Sequence, residues 1–168
     1  MRRNPWDPTD FVKPSTMASK SAHKPGERFK IVPTVYLVLR QRDDILLARR
    51  CHTGFHDGEY SLPAGHLDGM ETLVQAVVRE AKEEIGIHLD GNCLRLGHVM
   101  HRKEGNEERA NFFFVSTEWR GHPRIMEPLK CDDLRWFCLH KLPPNLIPYV
   151  KQVITCLIQG VVYSEYGW

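Results

Sequence analysis

No apolar run in this 168-residue chain approaches the ~20 residues that a membrane-spanning helix requires. Residues 1–20 hold no continuous apolar stretch, so nothing there reads as a secretory leader. Cysteine is sparse and badly spaced: Cys51, Cys93, Cys131, Cys138 and Cys156 are odd in number and include no C-x-x-C pair. Neither a structural zinc nor a disulfide framework organises such a chain, and a reducing, cytoplasmic setting fits best. A surplus of one charge is also missing. The net charge is only +2 with 26% charged residues, which is too balanced for a dedicated nucleic-acid surface. No nucleic acid and no membrane are therefore expected as partners. An anionic small molecule stays compatible, because local clusters rather than the total set the field in a cleft. With 42% hydrophobic residues the chain can bury a proper core as one domain.

The composition changes along the chain. Residues 1–27 contain Pro5, Pro8, Pro14 and Pro25 among Ser, Lys and Asp, and read as a flexible N-terminal arm with Met17 as an alternative start. A single domain over residues 28–168 follows. Residues 31–39 are rich in Val, Ile, Leu and Tyr and predict a strand, and residues 44–48 predict a second, joined by a polar turn. Residues 49–61 form a loop with Gly54 and Gly58. In residues 72–85 the apolar positions Leu73, Val74, Val77, Val78, Ala81 and Ile85 recur every three or four residues, which predicts a helix stopped by Gly86. Strands are expected over residues 94–100, 111–117 and 134–138, and a second helix over residues 145–159. Helices separated by several strands imply an α/β sandwich with a mixed sheet.

The chemistry concentrates in "GHLDGMETLVQAVVREAKEEIGI", Gly65 to Ile87. With Leu73 set to zero and about 100° per residue, Glu80, Glu83 and Glu84 fall near roughly 340°, 280° and 20°. They converge on the flank of an apolar stripe running from about 0° to 140°. Like charges three and four residues apart repel, so the cluster costs stability unless a cation lies among them. A solvated acidic face is the bland alternative for the triplet taken alone. A hard divalent ion that accepts oxygen ligands suits it better, with magnesium first and manganese second.

The surroundings of the triplet decide between these readings. The segment resembles the Nudix box, G-x5-E-x7-R-E-U-x-E-E-x-G-U with U a bulky aliphatic residue, and is identified as a member of that pattern. Gly65, Glu71, Arg79, Glu80, Glu83, Glu84, Gly86 and Ile87 all fall at the required spacing. The one soft departure is Ala81 at the first U. The resemblance implies the Nudix fold, an α/β/α sandwich with a mixed sheet and the box as a loop-helix-loop beside it. It further implies metal ligation by Glu80, Glu83, Glu84 and the Gly65 carbonyl, with Arg79, Glu71 and Gly86 structural. The implied reaction is metal-assisted attack of water on a phosphoric anhydride attached to a nucleoside.

A general base is still required. Residues 119–128, "WRGHPRIMEP", resemble the corresponding stretch of MutT-type nucleotide-pool enzymes, which implies that Glu127 is a further metal ligand or the base. An exposed loop carboxylate is its bland alternative, and Glu104, Glu107 and Glu108, in another polar loop, are rivals. For substrate binding, Arg49 and Arg50 close a strand just before the box, where a guanidinium grips phosphate oxygens in pairs. Arg102 and Arg109 are weaker candidates of the same kind. Asn145 lies near the place where MutT reads its purine, with one residue gapped. Phe112 and Phe114 share a strand face and read as core rather than as a stacking platform. His52, His56 and His66 match no zinc spacing and read as loop histidines.

Absences refine the substrate class that the resemblance implies. The proline that ADP-ribose hydrolases carry after the box is missing, since none occurs between Pro63 and Pro123. The tyrosine of dinucleoside polyphosphate hydrolases is missing too, between Tyr60 and Tyr149. The NADH-hydrolase signature is absent, and the coenzyme A type is matched only at Leu46, Leu47 and Arg50. What remains is a MutT-like (deoxy)nucleoside triphosphate pyrophosphohydrolase that releases the nucleoside monophosphate. Nucleotide sugars or other dinucleotides are the alternative substrates. A non-catalytic nucleotide-binding module would be expected to lose box carboxylates, and an isomerase on this fold would show a degenerate box and a catalytic cysteine. A homodimer is neither required nor opposed by the sequence.

Overall fold

A computed structural model describes residues 28–168, so the arm expected over residues 1–27 lies outside the described residues. Strand β1, Val32–Gln41, is apolar on both faces: Val35, Leu37 and Leu39 enter one core and Tyr36 and Val38 the other. A strand buried on both sides reads as a continuous hydrophobic run. After a tight turn with Arg42 at φ 57°, β2 (Asp44–Arg50) returns antiparallel. These two strands pair at the turn, through Arg40↔Ile45 and Gln41↔Asp44, and beyond it they take different partners. Strand β3 (Tyr60–Ser61) lies along β2, and β4 (Ala64–His66) lies along β1 through Tyr36↔Ala64. The stretch that enters the Nudix-like box is thereby wedged into the opening between β1 and β2.

Helix α1, Leu73–Ile85, follows. Strands β5 (Arg95–Glu104) and β6 (Glu107–Ser116) form a long hairpin, with β6 parallel to β1. Strand β7 (Cys131–Cys138) lies antiparallel to β2. Helix α2 (Pro148–Gln159) leads to β8 (Tyr163–Tyr166), which runs parallel to β5 at the edge. Among the described residues the result is an eight-stranded mixed sheet, ordered β3-β2-β1-β6-β5-β8 with β4 on β1 and β7 on β2. Ala76, Val77, Ala81 and Ile85 of α1 pack on the face holding Val35, Leu37 and Phe114. Val150, Val153 and Ile154 of α2 pack on the face holding Tyr36, Val38 and Phe113. The expected α/β/α sandwich is thus the observed one. Burying each such aliphatic side chain contributes about 1.5–3 kcal/mol.

Three details differ from expectation. The loop assigned to Glu104, Glu107 and Glu108 is the end of the β5–β6 hairpin, paired as far as Glu104↔Glu107. Its charges are carried by Arg102–Glu104, Arg109–Glu107 and His101–Glu108 pairs, so a polar tip continues the ladder. Helix α2 starts at Pro148 rather than at residue 145, because proline at the first turn loses no helical hydrogen bond. Residues 145–147 instead bond to Tyr60 on both sides, N–H to the Asn145 carbonyl and C=O from the Ile147 N–H. Strand β8 was not anticipated, being only four residues long. Phe112 and Phe114 do belong to the core beneath α1. The five cysteines are free thiols, and among the described residues no helix is long and apolar enough to cross a membrane.

Candidate active site

The helix that carries the glutamates is bounded at both ends by its own sequence. Thr72 accepts from the Gln75 N–H at 3.2 Å while the Gln75 side chain accepts from the Thr72 N–H at 2.7 Å, a reciprocal capping box. Gly86 takes a left-handed φ of 69°, and the Ile87 N–H turns back to the Ala81 carbonyl at 3.3 Å. Expectation placed the three glutamates on the flank of the buried stripe. The structure moves two of them inside it, because Ala76 is also fully buried and widens the arc. Glu80 and Glu84 therefore rise between packed positions, with the Glu80 side chain only 15% exposed, whereas Glu83 is 56% exposed.

Burial changes their acidity. Desolvation is the largest influence on Glu84 and lifts it from 4.5 to about 8; the Ala64 N–H, donating at 2.9 Å, opposes this, and Glu80 and Glu127 reinforce it. Glu80 is also raised, by desolvation, against the pull of Arg79. Arg79 is the hub of the box. It donates from Nη2 to Glu71 at 2.7 Å and to the His66 carbonyl at 3.0 Å, and from Nη1 to Glu80 at 2.7 Å and Glu83 at 3.1 Å. These bonds hold the Glu71 carboxyl below its usual range, helped by the Asp68 N–H. A Cβ on Gly65 would overlap the Glu80 carboxylate where it stands, so that side chain would have to leave its place on Arg79.

A second segment is docked on the end of α1. The Arg124 and Met126 N–H groups donate at 3.0 Å to the Ile85 and Glu84 carbonyls, which a helix end leaves unpaired. The next residue, Glu127, is thereby placed beside Glu84, with Lys130 Nζ on it at 2.8 Å. The rivals Glu104, Glu107 and Glu108 are engaged on the hairpin tip and do not line this space.

These groups form one wall of a cavity of about 620 Å³. Glu80, Glu83, Glu84 and Glu127 line it together with Thr34, Tyr36, Arg102, Arg109 and Tyr149. Arg50 also lines it and holds its own loop, donating to the Phe55 carbonyl at 2.7 Å and Thr53 Oγ1 at 3.1 Å. Arg49 reaches the rim but is paired with Asp132 at 2.7 and 3.1 Å. Asn145 is not brought to the cavity: it is exposed, and its amide donates to the Gly58 carbonyl at 2.7 Å, bracing the loop. Thr34 and Tyr36 on β1 and Tyr149 on α2 escaped sequence reasoning because those elements also feed the core. Only the alternation of β1, once its partners were known, could have singled out Thr34 and Tyr36.

Glu80, Glu83, Glu84 and the Gly65 carbonyl are the groups that could hold a metal, an all-oxygen set suited to a hard divalent ion. Their chemistry fits: two desolvated carboxylates with raised proton affinity gain most from a cation at that spot. Among the described residues they are not gathered on one point as a finished ligand set, and the Arg79 guanidinium stands between Glu80 and Glu83.

Comparisons with known proteins give the family and the fold. An NAD-capped RNA hydrolase NudC of Pseudomonas entomophila is 27% identical over 144 residues, 82% of this chain and 47% of that protein. The chain thus spans about half the length of the curated relatives it matches. A MutT NUDIX hydrolase of Burkholderia pseudomallei superposes with a TM-score of 0.70 at 26% identity, covering 76% of this chain and 98% of that one. A NUDIX hydrolase of Nitrosomonas europaea gives 0.67 at 26% identity, over 80% and 93%. The model of the NUDIX domain matches residues 30–156, and this chain belongs to the Nudix hydrolase family.

Proposed function

We propose that this Nudix hydrolase is a magnesium-dependent, MutT-like enzyme that hydrolyses (deoxy)nucleoside triphosphates to the monophosphate, with manganese as an alternative ion. One observation carries this reading: a single cavity is lined both by four carboxylates and by aromatic and hydrogen-bonding side chains, Tyr36, Tyr149 and Thr34 among them. That combination matches a polyphosphate joined to a nucleoside.

Glu80, Glu83, Glu84 and the Gly65 carbonyl would hold the divalent ion, whose chemistry there would be to offset phosphate charge and lower the pKa of water. Arg79 and Glu71 keep the box loop in register, and Gly65 leaves room for Glu80. Glu127 accepts the proton of the attacking water, with Glu84 beside it. The water oxygen forms a new P–O bond, the bridging P–O bond breaks, and its electron pair leaves on pyrophosphate. Arg50 and Lys130, which line the same cavity, meet phosphate oxygens beside the carboxylates. Arg49 contributes at the rim, and Asn145 acts through the loop it braces.

The test is a panel of nucleoside triphosphates, nucleotide sugars and dinucleotides with magnesium, resolved by product. Release of monophosphate and pyrophosphate from triphosphates is expected. The NudC relatives bring NADH and NAD-capped RNA into the panel, and cleavage confined to those two would replace the triphosphate reading. Ligand binding with no turnover on the whole panel would make the chain a nucleotide-binding module.

A further inference from the structure

The arginines and lysine that line the cavity are Arg49, Arg50, Arg79, Arg102, Arg109 and Lys130. Five of them are committed to carboxylates. Arg49 pairs with Asp132, Arg79 with Glu71, Glu80 and Glu83, Arg102 with Glu104, Arg109 with Glu107 and Lys130 with Glu127, at 2.6–3.1 Å. Arg50 makes no ion pair among the described residues. Neutral acceptors hold it instead. Its Nε donates to the Phe55 carbonyl at 2.7 Å and its Nη2 to Thr53 Oγ1 at 3.1 Å, and the guanidinium carbon lies 5.4 Å from the centroid of the Phe55 ring. Its Nη1 makes no hydrogen bond among the described residues and is not one of the atoms buried without a partner, so it is open to a ligand. Arg50 is thus fixed in direction while its charge stays uncancelled. That charge reaches the acidic groups, where it opposes the rise in the proton affinity of Glu84.

The loop that fixes Arg50 is built against backbone preference. Every second residue is left-handed, with φ 53° at His52, 75° at Gly54, 52° at His56 and 84° at Gly58. Two of these carry side chains that disfavour the region, so surrounding contacts must hold the turns. The neck of the loop closes on Arg50 itself: its N–H donates to the Glu59 carbonyl at 3.0 Å, and its carbonyl accepts from the Gly58 N–H at 2.7 Å. Inside, Asp57 accepts from the Thr53 and Gly54 N–H groups at 3.0 and 2.9 Å and from the Thr53 hydroxyl at 2.6 Å. With its one hydrogen given to Asp57, the Thr53 oxygen presents lone pairs to Arg50. Asp57 therefore orients the acceptor that Arg50 uses without forming an ion pair with the guanidinium.

We propose that Thr53 and Phe55 are positioning residues, and that the loop of residues 51–58 holds Arg50 as a pre-set, uncancelled clamp on the phosphate chain of the substrate. The proposal rests on the nucleotide-hydrolase reading only in taking a phosphoric anhydride as the substrate, whichever nucleoside it carries. A guanidinium already held in place loses little freedom when phosphate arrives, so the benefit appears as affinity.

Steady-state kinetics of the full chain on GTP and on NADH with magnesium, beside melting curves, test the clamp. Arg50→Ala should lower kcat/KM by about 10²-fold, mainly through KM, because phosphate is charged before the reaction as well as during it. Thr53→Val should lower it about tenfold, the scale of one hydrogen bond to a charged group, and Thr53→Ser, which keeps the hydroxyl, should recover most of the loss. Phe55→Leu, which keeps the carbonyl and removes the ring, should cost about threefold. Arg50→Ala combined with Thr53→Val should be no worse than Arg50→Ala alone within about twofold, since a residue acting only through Arg50 then has nothing to position. A merely structural Thr53 would instead lower melting temperature in step with activity and add its loss in the double variant. That additivity, parent-like kinetics of Thr53→Val, or losses confined to kcat would overturn the clamp. The expected pattern on NADH with no cleavage of GTP would support the clamp and end the triphosphate reading. Cleavage of GTP with Thr53→Val unimpaired would do the reverse. If the parent turns over neither, calorimetric titration with GTP and magnesium must show the same ranking of affinities, and its absence overturns the clamp.

Discussion

The two helices pack on opposite faces of one sheet and end alike, at Gly86 with φ 69° and Gly160 with φ 72°. Their interiors differ. Helix α2 presents Tyr149, Val150, Val153 and Ile154 to its core and keeps its few polar residues outside. Helix α1 admits Glu80 and Glu84 into its buried arc beside Ala76 and Ala81. The small alanines leave room for carboxylates where the buried face of α2 carries aliphatic side chains and one tyrosine. One helix is built mainly for packing and sends only Tyr149 to the cavity, and the other gives up packing to hold charge where water is scarce.

If that contrast is sound, Glu84→Gln should lower turnover by orders of magnitude with the fold retained, read from kinetics and a melting curve at saturating magnesium. Undiminished turnover in both Glu84→Gln and Glu83→Gln would remove the metal role. Glu127→Gln should cost about 10²–10⁴-fold in turnover and shift the pH profile, while Glu108→Gln on the hairpin tip stays within a few-fold. Helix α2 should respond the other way. Ile154→Ala should cost about 2–5 kcal/mol in a denaturant titration and leave turnover per folded molecule nearly unchanged.

Acidity sharpens the comparison further. Glu84 binds a proton more tightly when folded, its value raised from 4.5 to about 8, so the unfolded chain holds fewer protons between those values. Metal-free protein should therefore lose stability as pH rises through that window, and Glu84→Gln should flatten the slope. A melting temperature that rises with pH there would contradict the burial of Glu84. The smallest effect is expected at the helix start. Thr72→Ala should cost about 1 kcal/mol through loss of the capping box, and α2 has no side-chain cap at Ile147 to lose.

Much of α1 was legible because three signals coincide there: apolar period, glycine stop, and a run of spaced acidic residues. The missed element of that helix was Ala76, whose small side chain weighs little in a periodicity argument although it is fully buried. Other cavity residues were hidden for another reason. Thr34 is far along the chain from Arg102 and Arg109 of the β5–β6 hairpin and reaches them only through the parallel pairing of β1 with β6, which no local pattern announces. Asn145 shows the converse. A plausible offset placed it at the substrate, but its amide closes a loop instead, since sequence spacing does not specify where an irregular segment turns. Charged residues at the β5–β6 tip read as a loop because their mutual pairing was invisible before the register was known.

The docking of Arg124 and Met126 on the last carbonyls of α1 has a consequence for how such a chain tolerates change. Glu84 and Glu127 are separated in sequence by the whole β5–β6 hairpin, yet their relative placement is set by two backbone hydrogen bonds at the helix terminus. The hairpin's length is thereby decoupled from the spacing of the acidic groups. Insertions or deletions at Gly105 and Asn106 could lengthen or trim the tip, and reshape the cavity, without moving one carboxylate relative to the other.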